Sequence, residues 1–319
     1  MSSTKQPSRL VGALLLLGYA FGAYLCYFAS SLFGDGGFFI SAVLLFPLLI
    51  GLATQTLTDP DQSHTASKNW QRSLIVTAIL AVALFIFHIE TVICIAMAVP
   101  IFLPMQYVGV LLARASLKRT HDWLNRDILR ASTLVLPLAL PLAGIDITFP
   151  ETNAQVVSEI VIDASPSVVW ANTEEIAEIQ DEERISTLSH RFLRAPRPLD
   201  AVVTGSVRQL RWTKGVRFQE HITKREENRF LEWKFVFNDK QTLSAFDPHV
   251  SPDSRELKLT GGSYRLKELP DGKTRLHLAT NYTLRTPFNP YLKLWGSLFL
   301  NDFHNSVLHV IKTRSETST

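Results

Sequence analysis

The pattern of apolar and polar positions changes near residue 148. Before that point lie five apolar runs of near membrane-spanning length. These runs predict membrane helices at residues 10–33, 38–57, 73–88, 91–112 and 131–147. After that point, apolar residues alternate with polar ones at a period of two, which is typical of half-buried β-strands. The pattern therefore predicts a multi-pass transmembrane region over residues 1–147 and a folded domain over residues 153–315.

The first apolar run is predicted to be a retained helix rather than a cleaved leader. Only the segment Gly34–Gly37 separates it from the second run, whereas polar sequence follows the cleavage site of a signal peptide. The apolar stretch over residues 73–110 is too long for one helix and is interrupted at His88–Glu90, which predicts two helices joined by a tight turn. The alternative is a proton relay formed by His88 and Glu90, because ionisable groups inside a membrane are commonly functional.

Charged loops predict the orientation of the chain. Basic residues fall in alternate loops, at Lys5 and Arg9, at Lys68 and Arg72, and over Arg114–Arg130. Because basic loops of inner-membrane proteins remain on the cytoplasmic side, this alternation predicts a multi-pass protein of the cell inner membrane with a cytoplasmic N-terminus. The segment 114–130 fits either a plain cytoplasmic loop or an amphipathic helix lying on anionic headgroups.

The fifth apolar run decides which side of the membrane the folded domain occupies. Residues 131–147 are only about long enough to span, and Pro137 and Pro141 each interrupt helical hydrogen bonding. If the run spans the bilayer, the domain lies on the outer, periplasmic face, which the alternation of charge favours. If the run re-enters or lies in the interface, only four helices span and the domain is cytoplasmic.

Composition becomes informative only when the two regions are separated. The whole chain is 46% hydrophobic and 19% charged, with a mean hydropathy of +0.12, as in an ordinary globular protein. After residue 147 lie 23 of the 32 Lys and Arg residues and 22 of the 29 Asp and Glu residues, a net charge of +1. This domain has no long basic stretch, so nucleic acid is not an expected partner. Both cysteines, Cys26 and Cys94, lie in the apolar runs, so the domain has neither a disulfide nor a thiolate metal site.

The domain is predicted to begin with a strand and two short helical pieces. Val156, Ile160 and Ile162 share one face of the strand. Ser165–Pro166 then begins a short helix, with the serine at the N-cap and the proline at the first helical position. A second, acidic helical piece is predicted over Glu174–Glu183.

Antiparallel strands and a long helix are predicted for the rest of the domain. Strand alternation recurs at residues 210–212, 216–222, 231–237, 257–266 and 276–284. A terminal helix from Pro290 to Lys312 carries an apolar stripe at helical spacing. This order predicts an α+β domain in which a curved antiparallel sheet wraps the long C-terminal helix.

Several short segments carry a resemblance to a known superfamily. The sequence IDASPSVVW at Ile162–Trp170 resembles the helix-grip superfamily called SRPBCC or START-like. Other segments resemble a membrane-linked bacterial subgroup often labelled polyketide cyclase/dehydrase and lipid transport, namely Pro196–Pro198, Arg211–Glu220, Thr286–Asn289, Trp295–Gly296 and Asp302–His304. The resemblance covers residues 153–315 and implies a cavity between sheet and terminal helix that accepts hydrophobic ligands. It does not imply an enzyme, because this scaffold carries binders and several unrelated chemistries.

Alternation predicts which side chains would line such a cavity. The sheet contributes Trp212, Phe218, Trp233, Phe235, Phe237 and Tyr282, and the helix contributes Trp295, Phe299 and Phe303. Aromatic rings with few polar groups suit a lipid or a polycyclic guest. The alternative is that these rings simply pack together as core.

One carboxylate lies in register with this apolar face. Glu220 alternates with Phe218 and Ile222, and burial there would raise its pKa toward the range useful for general acid–base catalysis. The alternative is a bulge or rim position paired with a basic neighbour. Asp302 and His304 are two residues apart on the helix, so they face different directions and form no ready dyad.

The preferred interpretation is a membrane-anchored protein whose START-like domain binds or transfers a hydrophobic ligand. The ligand would be a lipid, an isoprenoid or a polyketide-like molecule, and the expected partners are membrane lipids or another hydrophobic small molecule. No cofactor and no metal are predicted, since His249 and His304 lack the spacing of metal ligands. The alternatives are a cyclase- or dehydratase-like enzyme with Glu220 as acid or base, and a non-enzymatic sensory or scaffold protein.

Overall fold

The chain forms two compact units, a helical unit over Met1–Phe149 and an α+β unit over Pro150–Thr319. The structure, a computed structural model, describes residues 9–30, 41–87, 91–119, 148–191, 195–238 and 251–318. The described helices of the first unit are α1 (Arg9–Ser30), α2 (Phe46–Thr58), α3 (Ala66–Ile86) and α4 (Val92–Arg119), with a π-helical turn at Ser41–Leu45 leading into α2.

Two of these described helices are long and apolar enough to cross a membrane, namely α3 and the Val92–Lys118 part of α4. Shorter apolar helices occur at Leu14–Tyr24 and Val43–Thr58. The predicted run at 131–147, the turn at His88–Glu90 and the segment after Arg119 lie outside the described residues.

Two helix boundaries differ from the sequence-based expectation. The helix predicted at residues 73–88 begins at Ala66, because the Thr65 hydroxyl caps it by accepting a hydrogen bond from the Lys68 amide at 3.3 Å. The helix predicted to end at residue 112 continues to Arg119. The apolar pattern underestimates the length of both helices, because the polar residues at their ends are also helical and form backbone hydrogen bonds.

Glycine lets α2 and α4 pack with their backbones in contact. A Cβ atom at Gly51 would collide with the carbonyl group of Gln106, and one at Gly109 would collide with the carbonyl oxygen of Leu48. Two helix backbones approach this closely only where the residue at the contact has no side chain.

A buried polar cluster around Asp59 ties α2, α3 and α4 together. The Asp59 carboxylate accepts hydrogen bonds from the Ser63 amide at 2.8 Å, the His64 amide at 3.1 Å and Asn69 Nδ2 at 2.7 Å. Arg114 lies 4.0 Å from the same carboxylate and donates to the His64 carbonyl at 2.7 Å. All of these donors come from other parts of the bundle or its loop, so the cluster fixes the ends of three helices.

The α+β unit contains seven strands and three α-helices among its described residues. These are β1 (Thr152–Ile162), α5 (Pro166–Glu174), α6 (Leu188–Arg191), β2 (Pro198–Thr204), β3 (Val207–Trp212), β4 (Arg217–Glu226), β5 (Phe230–Val236), β6 (Leu257–Glu268), β7 (Thr274–Leu284) and α7 (Asn289–Thr317). The strands form one antiparallel sheet in the order β1-β7-β6-β5-β4-β3-β2. The long α7 packs on β1 and β7, with α5 beside it. The predicted antiparallel sheet and terminal helix are therefore present, in an arrangement consistent with a helix-grip fold.

The prediction of a second helical piece over Glu174–Glu183 is wrong. Only Asp181–Glu183 forms a short 3₁₀ turn, and Ile176 forms a β-bridge with Ala201, exchanging two hydrogen bonds of 2.9 Å. Burial of Ile176 and Ile179 against β2 holds this segment extended, while its acidic side chains remain at the surface.

The sequence pattern also missed β2. Asp200 and Ala201 are consecutive and both buried, and the pairing with β3 shifts register between Pro198 and Asp200. This bulge breaks the two-residue alternation by which strands are recognised.

Two glycines set how closely the layers approach. A Cβ at Gly262 would lie 2.6 Å from the Trp233 ring, so the indole can lie this close to β6 only because that residue is glycine. A Cβ at Gly296 would lie 2.7 Å from the Tyr282 hydroxyl, where α7 crosses β7. Beyond this crossing, α7 continues over the main core, where Leu308, Val310 and Ile311 are buried.

Candidate functional site

A cavity of about 120 Å³ lies between the sheet and the middle of α7. Seven of the ten predicted cavity residues line it, namely Trp212, Phe218, Glu220, Trp233, Phe235, Phe237 and Phe303. The remaining lining is mostly aliphatic, with a small number of polar side chains. The wall is thus apolar with isolated polar positions, which is the usual chemistry of small-molecule sites.

The other three predicted residues lie outside the wall of this cavity. Tyr282 is buried in a second cluster with Ala154, Val156 and Leu284. Trp295 and Phe299 stack on each other with ring centroids 5.7 Å apart, on the first half of α7. Residues of α7 line this cavity only from about Leu300 onward, which leaves Trp295 and Phe299 before it along the helix.

The aromatic rings form a continuous surface from sheet to helix. Phe218 lies 5.8 Å from Trp212, 5.9 Å from Phe235 and 5.5 Å from Phe237, measured between ring centroids. Trp212 in turn meets Phe303 of α7 edge to face at 5.4 Å. Tilted and edge-to-face contacts of this kind are favourable ring geometries.

Glu220 lies on the inner face of β4 and pairs with Arg208 of β3. Both side chains are buried, with Glu220 4% exposed and Arg208 1% exposed. Arg208 Nη1 donates to Glu220 Oε2 at 2.6 Å, and the guanidinium lies 5.4 Å from the Trp233 ring centroid and 5.6 Å from that of Tyr264. Burial raises the pKa of Glu220 to about 7, against the opposing charge of Arg208.

Sequence reasoning missed Arg208 although a signal was present. Arg208 alternates with Leu210 and Trp212 along β3, which puts all three on the same side of the strand. A charged residue is expected to face solvent by default, so the alternation alone did not join it to the apolar face.

A second polar group at the cavity is a hydrogen-bonded chain through His304. Ser158 Oγ donates to Asn301 Oδ1 at 2.8 Å, so it accepts from His304 Nδ1 at 2.9 Å. The other ring nitrogen, Nε2, then accepts from the Thr280 hydroxyl at 2.8 Å. Burial lowers the pKa of His304 to about 4, so the ring is neutral at pH 7. Thr280 therefore presents oxygen lone pairs, not its proton, to a guest.

Asp302 belongs to a separate set of contacts. Its Oδ2 accepts from the Ser189 amide at 2.6 Å. Burial would raise the pKa of Asp302, but hydrogen bonds from Ser189 and Thr187 outweigh it and hold that pKa below its usual value. Asp302 and His304 thus have different partners. His249 lies outside the described residues, and within those that are described no group of His, Cys, Asp and Glu is arranged to hold a metal ion.

Two buried polar atoms of cavity-lining residues have no hydrogen-bond partner within the described parts of the chain. They are the indole nitrogen of Trp233, a donor, and Oδ1 of Asp200, an acceptor. The other oxygen of Asp200 accepts from Arg211 Nε at 2.7 Å. A buried polar group without a partner costs about 1–3 kcal/mol, so a guest that bonds to either atom would recover part of that free energy.

The volume limits what the cavity holds in this conformation. Pockets for drug-sized molecules are about 300–1,000 Å³, whereas an apolar cavity of about 150 Å³ accepts a single benzene ring. At about 120 Å³, the cavity accommodates one ring or a short alkyl group. A larger guest requires the helix and sheet to separate.

Comparisons with known proteins do not assign the chain to a family. No protein-family model and no curated protein matches the sequence. Among solved structures, the chain is similar to the Zhui aromatase/cyclase from Streptomyces sp. R1128, at 12% identity over 53% of this chain and 97% of that one, with a TM-score of 0.33. It is also similar to a protein from Thermus thermophilus, at 18% identity over 52% and 99% with a TM-score of 0.31, and to XoxI from Bacillus cereus, at 11% identity over 52% and 99% with a TM-score of 0.32. Similarities at these TM-scores carry no functional inference.

Proposed function

We propose that the chain is a membrane-anchored protein whose α+β unit binds a hydrophobic small molecule between the sheet and α7. The observation that carries this proposal is the cavity itself, which combines an aromatic wall with buried polar atoms that have no partner among the described residues. A cavity and buried polar atoms without partners both lower the stability of a domain. Their presence together therefore indicates selection for binding rather than for stability alone.

The guest would be held by its apolar body and oriented by a few polar contacts. Each CH₂ group moved from water into the cavity contributes about 0.8 kcal/mol, so a ten-carbon portion, once helix and sheet separate to admit it, contributes roughly 8 kcal/mol before the costs of ordering and opening. A hydroxyl or carbonyl group on the guest would accept from the Trp233 indole, and a hydroxyl would donate to Thr280. This chemistry fits a lipid, an isoprenoid or a polyketide-like molecule.

Entry of a larger guest would involve the first half of α7. The second half is fixed to the rest of the unit, since Arg314 donates to both carboxylate oxygens of Glu183 at 2.6 and 2.8 Å. Lys312 also donates to the Val161 carbonyl at 2.8 Å. Movement of the part of α7 between its start, which Asn289 attaches to Pro150 and Thr152, and Leu300 would leave these contacts in place and widen the cavity.

The proposal places the domain on the outer face of the membrane. The alternation of basic loops and the apolar run at 131–147 support an odd number of crossings between the cytoplasmic N-terminus and the domain. From there the cavity would exchange its guest with the outer leaflet or with a periplasmic carrier.

Native mass spectrometry of the full chain, released from detergent, tests the binding proposal. We expect the wild type to retain a hydrophobic guest and Leu278→Phe to lose it, because Leu278 lines the cavity and the larger ring fills it. The matched control is Val202→Phe, at a position 43% exposed on β2, which should retain the guest. Recovery of only empty wild-type chain would count against the proposal.

Acid–base catalysis at Glu220 is a second candidate, favoured by one observation. A buried carboxyl with a pKa of about 7 at a cavity wall is suited to proton transfer near neutral pH. The close pairing of Glu220 with Arg208 favours a positioning role over proton transfer, because Arg208 already occupies one oxygen of the carboxylate. The two candidates are separated by incubating the recovered guest with wild type and with Glu220→Gln. A change in guest mass with the wild type alone would establish catalysis, whereas binding predicts no change with either protein.

A further inference from the structure

The outward face of α7 changes character along its length. Near its start, Leu294 is 71% exposed and Leu298 is 44% exposed, and Tyr291 and Trp295 lie beside them, half-buried. Positions 291, 294, 295 and 298 share one side of a helix, so these residues form a single surface, called here the outward patch. Beyond the patch the same side carries Asn301, Asn305 and Lys312, about one, two and four turns past Leu298. The outward patch is therefore confined to the first half of the helix.

The same half of α7 is tied to the point where the chain leaves its apolar runs. Asn289, the first residue of α7, donates from Nδ2 to the Pro150 carbonyl at 3.1 Å and to the Thr152 hydroxyl at 2.8 Å. Its Oδ1 accepts from the Thr286 amide at 2.7 Å. Pro150 follows the apolar run 131–147 by three residues. The start of α7 is consequently held within a few residues of the proposed membrane anchor.

The end of the sheet next to the start of α7 carries a net positive charge, which suits anionic lipid. The antiparallel pairing brings the start of β1, β2, β4 and β6 and the end of β3, β5 and β7 to the same end as the start of α7. Described basic residues at this end are Arg197, Arg211, Lys214, Arg217, Arg255, Lys258, Arg285 and Lys293. Described acidic residues there are Glu151, Glu178, Asp200, Asp253 and Glu256, with Glu178 near Arg211. Eight basic and five acidic residues give a net charge of +3, which is larger than the +1 of the whole domain.

We propose that the outward patch rests on the surface of an anionic phospholipid bilayer, with its leucines among the acyl chains and Tyr291 and Trp295 at headgroup depth. Tyrosine and tryptophan are enriched at that depth because one end of the ring is apolar and the other polar. Basic residues around the patch would lie opposite the phosphates. The proposal rests on the membrane anchoring of the proposed function and adds the face by which the domain meets the lipid. It would also bring the half of α7 that admits the guest to the source of that guest.

A second copy of the chain is a poorer occupant for the outward patch. The patch spans about two turns, roughly 12 Å of helix, whereas a stable protein interface buries about 800 Å² on each partner. A bilayer needs far less area, because the anchor already holds the domain at the surface at a high effective concentration. A small apolar patch is sufficient to orient a tethered domain.

Accessibility of spin labels on the full chain in nanodiscs of phosphatidylcholine and phosphatidylglycerol tests this proposal. Cys26 and Cys94 are replaced by alanine, and a single nitroxide is placed at Leu294→Cys or Leu298→Cys. The matched control is Asn305→Cys, on the same side of the same helix beyond the patch. We expect labels at 294 and 298 to be several-fold more accessible to oxygen, relative to a water-soluble nickel complex, than the label at 305.

Either of two other results would overturn the proposal. Equal, water-like accessibility at all three positions would show that the patch faces solvent. Protection from both reagents at 294 and 298 would show that protein covers it. Resistance of the same variants to carbonate extraction from cell membranes checks the anchoring separately, and guest retention by native mass spectrometry checks the cavity. Failure of the patch is thereby distinguishable from failure of the proposed function.

Discussion

Two buried side chains at the cavity have pKa values shifted in opposite directions. Burial raises the pKa of Glu220 to about 7 from an ordinary 4.5, and burial lowers the pKa of His304 to about 4 from an ordinary 6.5. Each group therefore favours its neutral form in the folded protein. Because folding is linked to proton binding, each shift makes a contribution to the pH dependence of stability.

The two contributions have opposite signs over the same pH range. The stabilising contribution of Glu220 is present below about pH 4.5 and is lost as pH rises through 7, whereas that of His304 is present above about pH 6.5 and is lost as pH falls through 4. Each amounts to about 3 kcal/mol at most, from a shift of about 2.5 pH units. We predict that the wild-type unit has nearly constant stability between pH 4.5 and 6.5, while Glu220→Gln gains stability with rising pH and His304→Gln loses it.

Hydrogen exchange of slow amides in β1 and β7, corrected for intrinsic rates, measures these free energies on the full chain. His277→Gln is the control, because that histidine lies on β7 outside the lining of the cavity, with its ring nitrogen 3.4 Å from exposed Glu159. Parallel profiles for Glu220→Gln and His304→Gln would contradict the prediction.

Some residues of the candidate site could be predicted from the sequence, and others could not. Alternation correctly puts Glu220 on the inner face with Phe218, because the period of a strand is a local property. The chain from Ser158 through His304 to Thr280 joins β1, α7 and β7, which are more than 100 residues apart at their extremes. No local pattern contains that juxtaposition, so the sequence offered His304 only as an isolated histidine.

Among elements, most of the sheet and the terminal helix could be predicted, and the exceptions have identifiable causes. Strands β3 to β7 have clear alternation, whereas β2 contains a bulge at a buried aspartate. The acidic composition of Glu174–Glu183 favoured a helix, but pairing of Ile176 with Ala201 decided the outcome. Alternation also could not determine where α7 crosses the sheet. For that reason Tyr282, Trp295 and Phe299 were assigned to a cavity that begins further along the helix.

The contact between α2 and α4 leads to a prediction at the scale of elements. Gly51→Ala places a methyl group against the carbonyl of Gln106, so the helices must separate. Overpacking of this kind costs about 1–3 kcal/mol. We expect the variant to lose its monodisperse peak in size-exclusion chromatography at a lower pre-incubation temperature than the wild type in the same detergent.

Gly22→Ala is the matched control for this experiment. It is also a glycine inside a helix of the same unit, but a Cβ there meets nothing within 4 Å. Alanine has the higher helix propensity, so this variant should be as stable as the wild type or more so. Equal melting of Gly51→Ala and Gly22→Ala would show that α2 and α4 are not in backbone contact.

For the whole molecule, the proposed membrane anchoring makes the side on which the cavity opens depend on the parity of the crossings. Between the loop after α2 and the α+β unit lie α3, α4 and the apolar run 131–147. If all three cross, the loop and the unit are on opposite sides. If the run bearing Pro137 and Pro141 does not cross, they are on the same side, whatever the orientation of the N-terminus.

Labelling with a membrane-impermeant maleimide reads this parity directly. In a chain with Cys26 and Cys94 replaced by alanine, single cysteines are introduced at Asp61, in the loop, and at Thr317, at the end of α7, both at exposed positions. We predict that Thr317→Cys is labelled in right-side-out vesicles and Asp61→Cys only in inverted ones, because the basic residues Lys68 and Arg72 retain the loop in the cytoplasm. Labelling of both in inverted vesicles alone would place the cavity on the cytoplasmic side and exclude exchange with the outer leaflet. Because both sites are compared in the same vesicles, the result shows whether the apolar run 131–147 crosses the membrane.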